Sequence, residues 1–281
     1  MDATDATTLS QAELAQFKEI GYVIKPHFFS QPEVAAMQAE LERFKQAGLG
    51  RNVATEGDGK TPSKRKINYQ IIPLNDKSDL FRALPFCPKV SRAVSALIGD
   101  PIARQLEQIF LKPGQSGAGT SWHTDNAYFR ISDPTKGTGL WIALHQATIA
   151  NGTLQVIPGS FKETFAHERD PDSDHHVKFE ADESRAIPVE LPAGGAIFFN
   201  YGVAHCTKRN TTDQERAGLA YHFLRSDYLP PEEGRGRRRS RRRWNLVHLT
   251  GPQATAGQAE YGLALTAESW QAEVARLANK D

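Results

Sequence analysis

The chain has 281 residues, 39% of them hydrophobic and 24% charged, which is typical of a globular protein with a substantial core. The formal net charge of +1 gives no overall basis for binding nucleic acid or a membrane surface. Two cysteines argue against a disulfide framework and a cysteine-rich zinc site, and no apolar run is long enough for a membrane span. Because the polar start is unlike a signal peptide, we expect a cytoplasmic protein.

Helical patterns fill the first third of the chain. Ser10 and Glu13 have capping-box spacing ahead of an apolar stripe, and Ser30 and Glu33 repeat that arrangement. A third helical pattern covers residues 88–99. The sequence therefore predicts a mainly helical N-terminal part over residues 1–102, with a loop over residues 49–64.

The pattern changes to short β-rich runs between residues 103 and 228. Runs such as GLWIALHQATI and AIFFNYGVAHCT are separated by Gly, Pro, Asn and Asp. They follow one another too closely for crossover helices, which disfavours a parallel doubly wound sheet and favours an antiparallel jelly roll. An arginine-rich loop over 229–250 and a C-terminal segment over 251–281, ending in a helix, complete one domain of residues 1–281.

The stretch SWHTDNAYF places His123 and Asp125 two residues apart. On a strand, such residues point to the same face and can reach one metal ion, although a His-x-Asp triplet alone usually arises by chance. His205 ends a later apolar run and supplies a third ligand type. Two histidines and one carboxylate leave three coordination positions open, which is typical of non-haem Fe(II) oxygenases and unlike a closed structural zinc site.

Arg216 follows His205 by eleven residues. A hairpin would place Arg216 at the start of the strand beside the one that carries His205. A guanidinium binds a carboxylate through two parallel hydrogen bonds, and 2-oxoglutarate would need such an anchor for its far end. Thr207 would share the face of His205 and add a hydroxyl contact. Taken alone, Arg216 fits a solvated turn better than a ligand-binding role.

Three segments together resemble the phytanoyl-CoA dioxygenase family of Fe(II)/2-oxoglutarate-dependent oxygenases. They are FLKPGQSGAGTSWHTDNAYF, LWIALHQATIANGTLQVIPGSFK and GGAIFFNYGVAHCTKRNTTDQERAGLAYHF, in the family's order and spacing. The resemblance implies a mainly β fold, a cupin-like double-stranded β-helix with flanking N-terminal helices and a C-terminal helix. The residues that match the family's site are the iron ligands His123, Asp125 and His205, the 2-oxoglutarate-binding Arg216 and Thr207, and the pocket residues Gln108 and Trp141.

Some positions depart from the family pattern or leave a choice open. Thr124 stands where the family usually has Gln, and Phe161 ends a PGSF stretch where the family has PGSH. A further 2-oxoglutarate contact is expected from Lys66, Asn68 or Gln70, and the sequence does not choose among them.

The resemblance implies oxidation of a small molecule with Fe(II), 2-oxoglutarate and O2, stimulated by ascorbate. Asp125 occupies the position that related halogenases leave to a small residue, so hydroxylation is favoured over halogenation. Tyr128 and Phe129 are candidates to line the substrate pocket, or equally to be core residues. Desaturation, epimerisation and cyclisation would use the same site, and a non-catalytic jelly-roll binding protein is the alternative from another class. Oligomeric state is not defined.

Seven arginines lie between Arg235 and Arg243. Such a run is either a solvated or disordered segment or, here, an anion-binding lid that would favour a phosphate-, CoA- or carboxylate-bearing substrate. The balanced charge of the rest of the chain makes nucleic acid the weaker interpretation. The remaining histidines, including His145, His167, His175 and His176, are expected to be bystanders.

Overall fold

The computed structural model of the chain describes residues 7–229 and 246–278, so the arginine run lies outside the described residues. The helices in these ranges are α1 (Gln11–Ile20), α2 (Gln31–Gln46), α3 (Asp79–Ala83), α4 (Pro88–Ile98), α5 (Asn126–Phe129), α6 (Gln258–Tyr261) and α7 (Ala267–Ala278). Both predicted capping boxes are present at the starts of α1 and α2. The final helix is also where the sequence predicts one.

Short antiparallel strands make up the rest of the fold. They are β1 (Tyr22–Lys25), β2 (Arg51–Asn52), β3 (Tyr69–Ile71), β4 (Ile102–Lys112), β5 (Thr120–His123), β6 (Gly137–Ala143), β7 (Leu154–Val156), β8 (Glu168–Arg169), β9 (Val177–Lys178), β10 (Ile187–Pro188), β11 (Ala196–Asn200), β12 (His205–Thr207), β13 (Arg216–Arg225) and β14 (Val247–His248).

Two sheets form a sandwich. The major sheet has the order β1-β11-β6-β13-β4-β3-β2, with β14 also paired to β4, and the minor sheet has the order β10-β7-β12-β5. Side chains of β6 and β11 pack against those of β7 in one apolar cluster, which fills the space between the sheets. Apart from the consecutive strands β2, β3 and β4, neighbours in the two sheets are remote in sequence, as jelly-roll topology requires, and the predicted mainly β jelly roll is confirmed.

The two faces of the major sheet have different partners because side chains alternate along a strand. One face of β13 carries Ala217, Leu219 and Tyr221, which pack with the helices in the largest apolar cluster. The other face carries Arg216, Gly218 and Ala220 and is directed toward the minor sheet. Helices, major sheet and minor sheet therefore form three layers, and the candidate site lies between the two sheets.

Of the strands outside the β-rich region, the sequence analysis missed β1, β2 and β14. The N-terminal part supplies β1 at one edge of the major sheet and β2 and β3 at the other, and β2 lies within the predicted loop over 49–64. The described end of the arginine-rich loop likewise contributes β14. Two- to four-residue strands carry too short an alternation to stand out in a sequence. Within the described ranges, we find no helix with the length and apolar character of a membrane span.

Glu33 connects three helices. One oxygen of its carboxylate accepts hydrogen bonds from Lys89 Nζ at 2.5 Å and from the backbone N–H of Ser30, and the other accepts from Trp270 Nε1 at 2.9 Å. Burial by itself would raise the pKa of Glu33, but the donors from Lys89 and Trp270 outweigh it and lower the pKa below the ordinary value of 4.5. The carboxylate thus holds α2, α4 and α7 together.

This contact makes the stability pH-dependent. Because the pKa of Glu33 is depressed in the folded state, its contribution is present above about pH 4.5 and is lost as the pH falls through the folded-state value. We expect Glu33→Gln to lower the free energy of unfolding by about 1–3 kcal/mol at neutral pH and by less in acid. Urea unfolding at both pH values measures this. Glu42→Gln, on the exposed side of α2, is the control, and a pH-independent Glu33→Gln effect would contradict the assignment.

Candidate functional site

Two histidines face each other at the open end of the minor sheet. His123 on β5 and His205 on β12 are cross-strand partners, and their ring centroids are 4.2 Å apart. The Nδ1 atom of His123 lies 2.7 Å from the carbonyl oxygen of Ser121, and that of His205 lies 2.9 Å from the carbonyl oxygen of Val203. A carbonyl can only accept, so each ring carries its proton on Nδ1 and leaves Nε2 as a free metal ligand.

Asp125 completes the group, although not by the predicted strand geometry. Strand β5 ends at His123, and Asp125 has helical backbone angles (φ −61°, ψ −33°) at the start of α5. The turn brings Oδ1 of Asp125 to 3.7 Å from Nε2 of His205. One ligand atom from each of His123, Asp125 and His205 lies within 4.8 Å of the other two, close enough to hold one metal ion.

The protonation states of these residues suit metal binding. Burial, followed by the nearby His205, lowers the pKa of His123 to about 3. Burial would raise the pKa of Asp125, but His222 and His205 lower it to about 2. The group is therefore two neutral imidazoles and one carboxylate at neutral pH, which are the forms in which these side chains bind metals.

A histidine and a glycine lie beside the second carboxylate oxygen of Asp125. Its Oδ2 atom is buried without a hydrogen bond among the described residues, and Nδ1 of His222 lies 3.4 Å away. A Cβ atom at Gly139 would lie 3.2 Å from the same oxygen and 2.8 Å from the ring of Phe199. The glycine thus leaves room for the carboxylate. Its unpaired, buried oxygen is suited to bind an electrophilic partner such as a metal ion.

Arg216 lies in the sandwich, but its strand position differs from the prediction. It does begin β13, yet β13 pairs with β4 and β6 of the major sheet, whereas His205 is on the minor sheet. Arg216 is 1% exposed, donates from Nη2 to the carbonyl oxygen of Gly152, and has an unpaired Nε. Burial lowers its pKa to about 10, so it remains a cation at neutral pH.

Trp141 and Gln108 lie on the same sheet face as Arg216. In register, both stand opposite Ala220 of β13, one from each side. The guanidinium carbon of Arg216 is 5.6 Å from the Trp141 ring centroid, within cation–π range. Gln108 accepts a hydrogen bond of 2.7 Å from Gln70, while Lys66 forms an ion pair with Asp172 at the surface. Of the three alternatives on that segment, Lys66 is therefore the one directed away from the pocket.

The loop after residue 165 contributes residues that the sequence analysis treated as bystanders. His176 is 7% exposed, and its ring centroid lies 5.6 Å from that of His123. Its Nδ1 atom is 3.0 Å from the hydroxyl oxygen of Tyr128, which also accepts from the backbone N–H of Val177. His167 accepts a hydrogen bond from the N–H of Thr124. The loop is polar in sequence, and only its tertiary contacts reveal that it covers the metal-ligand group.

The two candidate substrate residues have different surroundings. The ring centroid of Tyr128 lies 5.7 Å from that of His123, and its hydroxyl group faces the loop. Phe129 instead packs between the rings of Tyr201 and His222. Cys206 points away from the histidines into a separate apolar cluster, as its alternation with His205 predicts. A substrate role for Tyr128 and Phe129 stays a prediction.

A comparison with family sequence models matches residues 17–218 to Phytanoyl-CoA dioxygenase (PhyH). The match covers more than half of the chain and includes the three metal-ligand candidates. The chain belongs to the PhyH family of Fe(II)/2-oxoglutarate-dependent oxygenases. This confirms the resemblance seen in the three sequence segments.

Characterised PhyH-family sequences are similar over much of the chain. The phytanoyl-CoA dioxygenase of Arabidopsis thaliana is 30% identical over 178 residues, covering 61% of this chain and 62% of the relative. The match thus spans less than two thirds of that relative's length. The ectoine dioxygenase of Stutzerimonas stutzeri (strain A1501) is 27% identical over 239 residues, or 77% of each chain.

Solved structures share the fold. The carbocyclase SnoK from nogalamycin biosynthesis superposes with a TM-score of 0.66 at 21% identity, covering 82% of this chain and 91% of that one. EctD from S. alaskensis, solved with 2-oxoglutarate and 5-hydroxyectoine, gives a TM-score of 0.61 at 21% identity, covering 81% and 80%. These likenesses establish the architecture, while substrate preference has to be argued from this chain's own residues.

Gly218 allows the indole of Trp141 to lie flat on β13. A Cβ atom there would lie 2.5 Å from three atoms of the indole. We expect Gly218→Ala to displace Trp141 and to lower the free energy of unfolding by about 1–3 kcal/mol, measured by urea unfolding. In a Trp141→Phe background, Gly218→Ala should lower the free energy of unfolding by less, because the smaller ring lacks the clashing atoms. Additive effects of the two substitutions would contradict this explanation.

Proposed function

We propose that this protein is an Fe(II)/2-oxoglutarate-dependent dioxygenase that hydroxylates a small molecule. The observation that carries the proposal is the convergence of His123, Asp125 and His205, two of them with Nε2 free for a metal, in a pocket that also contains a buried, partly unpaired arginine. We further propose that the chain acts as one domain, since the helices and the major sheet share one apolar cluster.

His123, Asp125 and His205 would hold the iron through two nitrogens and one oxygen. Bound Fe(II) would supply the chemistry with O2 that couples oxidative decarboxylation of 2-oxoglutarate to oxidation of a carbon–hydrogen bond. The hydrogen bonds to the carbonyls of Ser121 and Val203 fix both imidazoles in the ligating tautomer. The carboxylate of Asp125 fills the position that a halide would need, which supports hydroxylation over halogenation.

The far carboxylate of 2-oxoglutarate would bind Arg216 and the hydroxyl of Thr207. Burial of Arg216 strengthens its interaction with an anion, because no water competes for the guanidinium. Trp141 would limit the movement of the co-substrate by packing against Arg216, and Gln108 would add a polar contact on the same sheet face.

The substrate is proposed to enter under the loop that carries His176. Tyr128 and His176 of this loop region pack near the ring of His123, whereas His222 is a neighbour of Asp125. A small molecule held there would exclude water from the reacting carbon. The relatives named above include a carbocyclase and an ectoine dioxygenase, so ring formation and hydroxylation both occur on this fold, and the substrate decides between them.

Succinate formation from 2-oxoglutarate tests the proposal. With Fe(II), ascorbate and a panel of small molecules, we expect turnover that rises with one compound class and falls at least about 100-fold in Asp125→Ala and His205→Ala, since each removes a metal ligand. The control is His27→Ala, an exposed histidine far from the site in the chain. Anaerobic visible absorption measures co-substrate binding to the iron independently.

The outcomes separate the candidate functions. Turnover that survives in both variants would overturn the ligand assignment. Binding of a small molecule without Fe(II)-dependent absorption or succinate formation would indicate a jelly-roll binding protein without catalysis. A product that has lost two hydrogens or changed configuration, rather than gained oxygen, would indicate desaturation or epimerisation at the same site.

A further inference from the structure

A second buried cation lies directly opposite Arg216. Lys112 ends β4, and the β4–β13 register pairs it with Arg216, so both side chains project from the same face of the major sheet into the sandwich. Each residue is 1% exposed. Like charges at directly opposed positions destabilise a sheet, so this pair needs a compensating reason to be buried.

No acidic side chain compensates the pair in the described part of the chain. The Lys112 ammonium donates to Oγ1 of Thr207 and to the carbonyl oxygen of Lys208, both at 2.6 Å, and Arg216 donates to the carbonyl oxygen of Gly152. All three acceptors are neutral. By contrast, the half-buried Lys89 forms an ion pair with Glu33. Burial, and then the charge of Arg216, lowers the pKa of Lys112 well below its ordinary value, so an anion bound beside the pair would favour the protonated form of Lys112.

The hydrogen bonds of Lys112 also determine what Thr207 can do. The Oγ1 atom of Thr207 accepts from Lys112 Nζ and, at 3.1 Å, from the backbone N–H of Thr120. A hydroxyl oxygen has two lone pairs, so both are occupied and its proton remains free to donate. An ammonium has three N–H groups, of which two are used, and Nε of Arg216 is unpaired. Thr207, Lys112 and Arg216 therefore each have an unused donor, and neither cation has an acidic partner among the described residues.

We propose that Lys112 is a second cation of the co-substrate site: it binds the far carboxylate of 2-oxoglutarate together with Arg216 and orients the Thr207 hydroxyl as a donor to the same carboxylate. This inference rests on the proposed function. It makes the site selective for dicarboxylic 2-oxo acids over monocarboxylic ones, because only a far carboxylate places a negative charge beside the two cations. The negative charge of the ligand replaces the acidic partner that the protein lacks.

Anaerobic titration of the Fe(II)-loaded protein with 2-oxoglutarate, followed by visible absorption, tests this role without turnover. We expect Lys112→Met to raise the dissociation constant about 10- to 100-fold, the usual loss for a charge-assisted contact. The melting temperature of the ligand-free protein should stay equal or rise, because the methionine keeps the apolar stem and removes an uncompensated charge. Lys89→Met is the control: it removes a lysine that has its own carboxylate and should leave 2-oxoglutarate affinity unchanged.

A second probe separates anion binding from a purely structural role. Pyruvate has the 2-oxo acid group but no far carboxylate, so Lys112→Met should reduce the preference for 2-oxoglutarate over pyruvate by the same factor. Equal weakening of both ligands, or a lower melting temperature with an unchanged preference, would show that Lys112 only connects β4 to β12 and would overturn the proposal. If Lys112→Met does not fold, Lys112→Gln, which keeps a donor for Thr207 without the charge, takes its place with the same expected loss of preference.

The failure of this inference differs from a failure of the proposed function. Wild-type protein that shows no absorption change with 2-oxoglutarate would refute the oxygenase assignment and the role of Lys112 with it. Wild-type protein that binds 2-oxoglutarate, while Lys112→Met binds it equally tightly, would refute only the role of Lys112.

Discussion

The register of β13 between β4 and β6 is the constraint on which the rest of the structure depends. Because side chains alternate along a strand, this one register sends Leu219 and Tyr221 toward the helices and Arg216 toward the minor sheet. A slip of one residue would exchange the two faces, burying the arginine among apolar helices and exposing the apolar residues to the pocket. The long pairing with β4 therefore fixes both the core and the polar side of the site.

The metal-ligand group is organised by short elements attached to that framework. The minor-sheet pairing of β5 and β12 sets two imidazoles side by side, and the backbone carbonyls two residues before each histidine hold the rings in one tautomer. Asp125 lies at the start of α5, and its helical backbone angles direct the carboxylate toward the two histidines. Ligands fixed in this way lose little conformational entropy on binding a metal, which is the physical advantage of placing them on a rigid sheet.

Charge is distributed unevenly between the two ends of the pocket. The Asp125 carboxylate lies beside His123 and His205 at one end, while Arg216 and Lys112 at the other have no acidic partner in the part of the chain that the structure describes. The charged side chains at both ends are buried, so each charge acts over a longer range than it would at the surface. An elongated anion bridging a metal ion and two cations would balance this arrangement, whereas the side chains alone do not.

The sequence by itself determined the capping boxes, the final helix and the β-rich middle of the chain, because these depend on local periodicity. The metal-ligand candidates followed from the His-x-Asp spacing together with the family resemblance, which joined His205 to them from a distant segment. The sequence assigned His123 and Asp125 to one strand face, but the chain turns between them. Only the tertiary structure decided that Arg216 lies on the opposite sheet from His205, that His176 covers the site, and that Lys112 stands beside Arg216. The reason is physical: these relations join residues from distant parts of the chain, and they follow from strand register and sheet packing, which no local pattern encodes.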